Sequence, residues 1–335
     1  MVTSTDVEWA YRMLLGREPE SAAVVQAFVK GTRTVEELRR LILRSPEFAA
    51  KFEREQEAAL AVGERLPMSA ATRNVQTRVN KSELDRLLGR IEREFAYMGE
   101  SEPFWSVIST EQYKLANLSD DSKAQFYQSG RQSLDEMEAT ARRNGVKLPR
   151  AGICFELGCG IGRTTIWLAN AFQKVIAAEL SAPHLALAQK AVTQYGKRNI
   201  SFLHVNARHT FATLPEFDAF LSIIVFQHNP PPLIYYMLTE ILGRLRPGGV
   251  AYFQVPTYGL NYEFVLQDYL QNELPPGTPE MHVLPQPELF RVIDQTGCEL
   301  LEIREDGAAG PDMISNRLFV RKKSKAIAGG GNRRE

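Results

Sequence analysis

The sequence predicts an α/β fold, a seven-stranded sheet with helices on both faces, preceded by a small all-helical N-terminal domain. Two observations predict it. From Gly152 onward, short apolar runs of strand character alternate with stretches of helical period, the pattern of a largely parallel sheet. Before that point the chain carries helical periodicity and helix caps instead.

In chain order, Asp6 is the expected cap of a first helix that buries Val7, Ala10, Tyr11, Leu14 and Leu15 and stops at Gly16. A second helix follows Pro19, burying Val24, Val25, Phe28 and Val29, with Gly31 as its stop. Thr34 and Glu37 predict a capping box for a third, which buries Val35, Leu38, Leu41 and Ile42. Ser45-Pro46 opens a fourth. Residues 56–80 are polar, alanine-rich and unpatterned, the composition of a linker. An amphipathic helix with Leu84, Leu87, Leu88, Ile91 and Phe95 on one stripe then runs to Gly99. A helix over Ser133–Asn144, capped by Gly145, leads into the sheet.

The strands expected are ICFEL, KVIAAEL, ISFLHV, AFLSIIVF and GVAYFQV, with helices after Gly162, over 182–195 and over 233–245. QPELFRVIDQTG reads as a further helix, and CELLEIRE with NRLFVRK as a hairpin closing the sheet edge. The organisation is therefore a helical domain at 1–55, a linker at 56–80, a helical lead-in at 81–150, a catalytic domain at 151–323 and a disordered tail at 324–335.

The 335 residues hold 40 basic and 40 acidic side chains, so no global field draws the chain to nucleic acid or an anionic membrane. Cys154, Cys159 and Cys298 match no zinc or disulfide spacing and read as reduced thiols. The start, MVTSTDVEWAYR, has no basic segment leading into an apolar run, and the run from Ala219 to Phe226 is too short to span a bilayer. A cytoplasmic protein is expected.

The run FELGCGIGR, at 155–163, carries the chemistry. Glu156 ends a buried strand, and Gly158, Gly160 and Gly162 allow a tight turn and a close ligand approach before a helix that starts at Arg163 or Thr164. A dinucleotide-binding loop counted from Gly158 would need glycine at 163, where Arg163 stands. The run resembles the glycine loop of class I, Rossmann-like methyltransferases that use S-adenosylmethionine (SAM), over about residues 150–322. Glu179, at the end of the next strand, matches the family's ribose-binding acid. Asn206 stands where the family usually has an aspartate for adenine, and its carbonyl can accept the same hydrogen bond. The resemblance implies a cofactor site built from Glu156, Gly158, Cys159, Gly160, Gly162, Arg163, Glu179, Leu180, Asn206, Ala207 and Gln227. LRPGG resembles the turn before the family's fifth strand.

Methyl transfer to oxygen needs a base, and His228 is the first candidate by position, with His282 second. A histidine at this place in the family also occurs as a pocket-lining group. His184, His204 and His209 read as structural or exposed. No paired-carboxylate spacing points to a metal, and none is expected. Trp105, Tyr113, Phe126 and Tyr127 are expected either to fold over the cofactor or to pack the leading helices on the sheet. Tyr258 and Tyr262 are candidates for the acceptor side, and 255–287 for the specificity region.

AYRMLLGREPE and KGTRTVEELRRLILRSPEF resemble a short bacterial helical domain of unknown function joined to enzymes that act on cell-surface glycans. That resemblance implies a sugar hydroxyl of a bacterial surface glycan or its precursor as acceptor, with 1–55 docking glycan-assembly proteins. Two alternatives stand beside it. One is a methyltransferase for a small natural product or lipid, the other a SAM-binding scaffold without turnover.

Overall fold

The computed structural model describes residues 2–48, 73–272 and 274–324. The chain divides into two compact units, residues 1–66 and 67–335.

In the first unit, helix α1 spans Ser4–Ala10 and continues as a wider π-turn, Tyr11–Leu15, closed by Gly16 at φ 65°. Its cap is Thr3, and Asp6 sits one turn in, closing the capping box from the inside. A carboxylate there can reach back to the cap N–H, which corrects the expected cap. Helices α2 (Ala22–Gly31) and α3 (Val35–Leu43) follow, capped by Ser21 and Thr34. Glu37 accepts from the Arg33 N–H, so the expected capping box at Thr34 is only half made. Val7, Tyr11, Leu15, Val25, Leu38 and Ile42 form the core, while Val35 and Leu41 stay 54% and 50% exposed. They fall on the α3 stripe by period, but the apolar faces of α1 and α2 are already filled by Leu38 and Ile42. A helical turn begins at Pro46, with the Phe48 N–H donating to the Ser45 hydroxyl.

The second unit starts with an extended run. Residues 73–80, read from composition as linker, are tied down: Val75 bridges Phe264, and the Gln76 amide donates to the Phe264 carbonyl. The rest of that stretch, from 56 to 72, lies outside the described residues, as does the tail from 325. Helix α4 (Lys81–Ser101) carries its full capping box at Asn80 and Glu83 and buries Leu84, Leu87, Leu88 and Ile91. It runs through Gly99 rather than stopping there. A Cβ at Gly99 would sit 2.7 Å from the Ser181 hydroxyl, so the glycine is needed for close approach, not termination.

Helices α5 (Asp120–Ser129) and α6 (Arg131–Arg143) lead to β1 (Ile153–Leu157), α7 (Thr165–Ala171) and β2 (Lys174–Glu179). Then come α8 (Ala182–Gln194), β3 (Ile200–His204), α9 (His209–Ala212), β4 (Phe217–Ser222) and α10 (Pro231–Gly243). The chain ends with β5 (Leu245–Gly259), α11 (Leu266–Gln271), α12 (Gln286–Gln295), β6 (Cys298–Glu305) and β7 (Met313–Lys322). The sheet order is β3-β2-β1-β4-β5-β7-β6, with β7 antiparallel between β5 and β6. The expected edge hairpin is present.

Alternation along each strand fills two cores. Phe155, Ile176, Phe220 and Phe253 pack against α4, α10 and α12, whereas Cys154, Val175, Ala219 and Tyr252 face α6, α7 and α8. Phe155 stacks on Phe217 and Phe220 at 5.1 and 5.7 Å between ring centroids. Two strand expectations change. β4 stops at Ser222 because Ile224 takes a left-handed φ of 59°, so IIVF leaves the sheet. LRPGG does not precede β5; it bulges from it opposite Asp218, with Leu245 paired to Phe217 and Val250 to Ala219.

Candidate functional site

The strand order reverses between β1 and β4, since β2 continues on one side and β5 on the other. The loops after these two strands part there and leave a crevice at the carboxyl end of the sheet. A cavity of about 600 Å³ occupies it. Its lining includes Glu156–Gly160 and Arg163 at and after the end of β1, Glu179 and Leu180 at the end of β2, and Ile223–Val225 with Gln227 and His228 after β4.

The glycine loop has its shape because no other residue fits. Gly158, Gly160 and Gly162 all take positive φ, at 72°, 53° and 87°, and a Cβ on Gly158 would overlap Val225. Glu179 holds this loop. One of its carboxylate oxygens accepts from the Gly160 N–H at 2.8 Å, and the other from the Leu180 and Ser181 amides at 2.8 and 3.0 Å. Glu156 is buried and accepts from the Thr165 hydroxyl at 2.6 Å, at the start of α7. Burial pushes its carboxyl up to about 7, opposed by the Thr165 hydrogen bond and the Arg163 charge. Arg163 donates to Ser129 at 3.2 Å, but its Nε is buried with no partner among the described residues. Such an orphan donor beside an open loop fits an anionic ligand group.

His228 stands in a 3₁₀ turn, Phe226–His228, that follows the left-handed Ile224. Its Nδ1 lies 3.0 Å from the Glu280 carbonyl, which can only accept, so Nδ1 carries the proton. Nε2 is then the lone-pair nitrogen, and Gln227 Nε2 donates to it at 3.2 Å. Burial, with His282 nearby, lowers the His228 pKa, so the ring is neutral at neutral pH. Gln227 is held in turn by Gln254, a fully buried β5 residue whose amide donates to Gln227 and Ser315 and accepts from the Ile224 N–H.

The structure thus brings together Glu156, Gly158, Cys159, Gly160, Arg163, Glu179, Leu180, Gln227 and His228. Gly162 shapes the turn without lining it. Asn206 is exposed and Ala207 half-buried, both outside the lining, where Val205 and Phe211 stand instead. β3 ends at His204, and the buried residue that follows it is Val205. His282 is also outside the cavity. It is buried among Tyr262, Phe264 and Tyr269, with Nδ1 2.8 Å from the Tyr262 hydroxyl. Neither Tyr258 nor Tyr262 lines the cavity. His184 is structural, its ring 2.8 Å from Ser106, and it also reaches the cavity wall. His204 meets the Leu180 carbonyl, and His209 is exposed.

From the lead-in, Ser106–Ser109 line the cavity, whereas Tyr113 and Phe126 pack with Ile161 in a separate aromatic cluster. Of the two expectations for those aromatics, packing is what these two do. Sequence reasoning missed Ser106–Ser109, Ile224 and Gln254. A short Ser-Val-Ile-Ser run, a β-branched residue at positive φ and one interior glutamine carry no motif of their own.

Among the described residues, no cluster of three or more His, Cys, Asp or Glu stands where it could hold a metal ion. No helix among them is long and apolar enough to cross a membrane.

Residues 155–249 match the family model described as a methyltransferase domain. No curated protein matches the chain. Among solved structures, the chain is similar in fold to magnesium protoporphyrin IX methyltransferase from Synechocystis PCC 6803, with bound SAH, at 16% identity, covering 70% of this chain and 100% of that one, with a TM-score of 0.49. It is also similar to 1,6-didemethyltoxoflavin-N1-methyltransferase of Burkholderia thailandensis, at 14% identity, with 78% and 99% covered and a TM-score of 0.47. A SAM-dependent methyltransferase from Clostridium acetobutylicum gives 13% identity, 58% and 92% coverage and a TM-score of 0.43. Residues 155–249, which match the methyltransferase-domain model, carry the glycine loop at the switch point of the sheet.

Proposed function

We propose that this domain transfers the SAM methyl group to a hydroxyl, with His228 as general base, and that the acceptor is a sugar of a bacterial surface glycan or its precursor. The observation that carries the oxygen reading is the fixed tautomer of His228. Its protonated Nδ1 is engaged by a main-chain carbonyl, and its basic Nε2 lies with Gln227 at the cavity. The sugar reading is supported by the LLGREP and SPEF segments of the first unit.

The residues present fit the cofactor. Arg163 Nε is the orphan donor for a carboxylate, Glu156 is a buried acid for an ammonium group, and Glu179 is the acid for the ribose hydroxyls. Bound there, SAM supplies an electrophilic methyl group on a sulfonium. The chain's own work is positional. Leu157, Phe211 and Met237 exclude water from the cavity wall. His228 Nε2 exchanges its Gln227 donor for the acceptor hydroxyl and takes that proton.

Calorimetry with SAM and S-adenosylhomocysteine (SAH), paired with turnover of His228→Ala, tests this. The variant should keep its SAH affinity and lose activity by about 10²-fold or more, the usual contribution of a general base. The acid limb of the wild-type rate should fall below pH 6.5, because the base must be neutral. No SAH binding by the wild type would remove the whole reading, and equal loss of affinity and turnover would leave His228 a pocket residue.

A further inference from the structure

We propose that the acceptor sits in a second chamber, which meets the cofactor cavity at His228, and that it is an uncharged carbohydrate. This rests on the methyl-transfer reading above and places its acceptor.

The chamber, of about 330 Å³, lies between α4 and the segment 274–280. It shares Ile91, Phe95, His228 and Pro279 with the cofactor cavity, so these four are the partition between the two spaces. The partition residue that can move a proton is His228. Glu280, which lines the chamber, holds the ring through its carbonyl, and Gln227, which lines the cofactor cavity, meets the opposite nitrogen. An acceptor in the chamber therefore presents its hydroxyl past the Nε2 edge of this ring.

The chamber's chemistry selects the class. Its charges balance, with Arg90 and Arg93 against Glu94 and Glu280. Arg90 is spent on Glu280 at 2.8 Å, and the Glu94 carboxylate accepts from the Gly277 amide at 2.7 Å. No excess charge recruits an anion. An all-apolar acceptor would strip water from these ionic groups without replacing it, which is unfavourable. A ring with one apolar face and many hydroxyls satisfies both kinds of wall. Tyr97, 48% exposed at the chamber, offers the stacking face, and the paired charges offer donors and acceptors.

The test uses the full chain, SAM, and methyl glycosides of neutral hexoses and 6-deoxyhexoses as probes, with SAH release as the readout. Thr278 is exposed at the chamber rim, so Thr278→Trp can fill the space without disturbing a core. Thr278→Trp should lower kcat/KM for the glycoside more than tenfold while SAH affinity by calorimetry stays unchanged. Tyr97→Ala should raise KM by about fivefold, the size of one lost ring contact, with kcat held. Glycoside turnover that Thr278→Trp leaves intact would place the acceptor elsewhere and overturn the chamber, leaving methyl transfer standing. SAH binding without turnover of any neutral glycoside would overturn the carbohydrate class. Absence of SAH binding in the wild type would bring down the underlying methyl-transfer reading as well.

Discussion

Glu156 shows how much one buried group can decide. Its carboxyl is pushed up to about 7 because the Thr165 hydrogen bond and the Arg163 charge do not offset its burial. The folded state therefore keeps a proton that the unfolded chain, with an ordinary value of 4.5, has already lost. Native protein binds more protons than unfolded between these two values, so stability falls as pH rises across that window. This one group accounts for ~3 kcal/mol, at roughly 1.4 kcal/mol for every pH unit between the two values. Glu156→Gln should flatten the fall in urea-melt stability between pH 5 and 7, and an unchanged slope would show that another group carries it. FELGCGIGR identified this residue, but its protonation was not legible there, because it depends on Thr165 and on the walls around it. Ile224 is the opposite case. An isoleucine inside an apolar run reads as strand, and its left-handed backbone, a strain of ~1–3 kcal/mol, is held where the buried Gln254 accepts its amide.

At the scale of elements, the strands and most helices were legible because each has a clean period. One misplaced end, that of α4, comes from close approach between segments distant in sequence. Gly99 looked like a helix stop and proved a contact with Ser181 and His184. Gly130 gave no signal at all. It joins α5 to α6 at an ordinary φ of −63°, yet a Cβ there would overlap the main-chain carbonyl of Arg163. The α5–α6 corner is thus a template against which the glycine loop is set. Gly130→Ala should destabilise the protein by ~1–3 kcal/mol, the cost of overpacking. SAH affinity should fall with it, because the displaced atoms are backbone. Wild-type affinity in the variant would show that the corner and the loop move independently.

For the molecule as a whole, two separate cores make a prediction about autonomy. The first unit closes on Val7, Tyr11, Leu38 and Ile42, and the cofactor cavity is lined by the second unit alone. Residues 67–335 expressed by themselves should fold and bind SAH with the affinity of the full chain. A large loss would assign residues 1–66 a part in holding the site. The donor side of the site was legible because the glycine loop and its acids lie on consecutive strands. The proposed acceptor side was legible only in part, since 274–280 falls within the expected specificity region 255–287. It is assembled from α4, the turn after β4 and the segment before α12, which meet only in the folded chain.

The grip of Glu179 on the loop has a thermodynamic consequence. The Gly160 amide ties the turn after β1 to one carboxylate oxygen, and the Leu180 and Ser181 amides fix the other, so the turn is held before any ligand arrives. Ordering a backbone residue costs roughly 1–2 kcal/mol, and here that cost is met when the protein folds. If Glu179 takes the ribose as proposed, capture of the cofactor carries little ordering entropy at this loop.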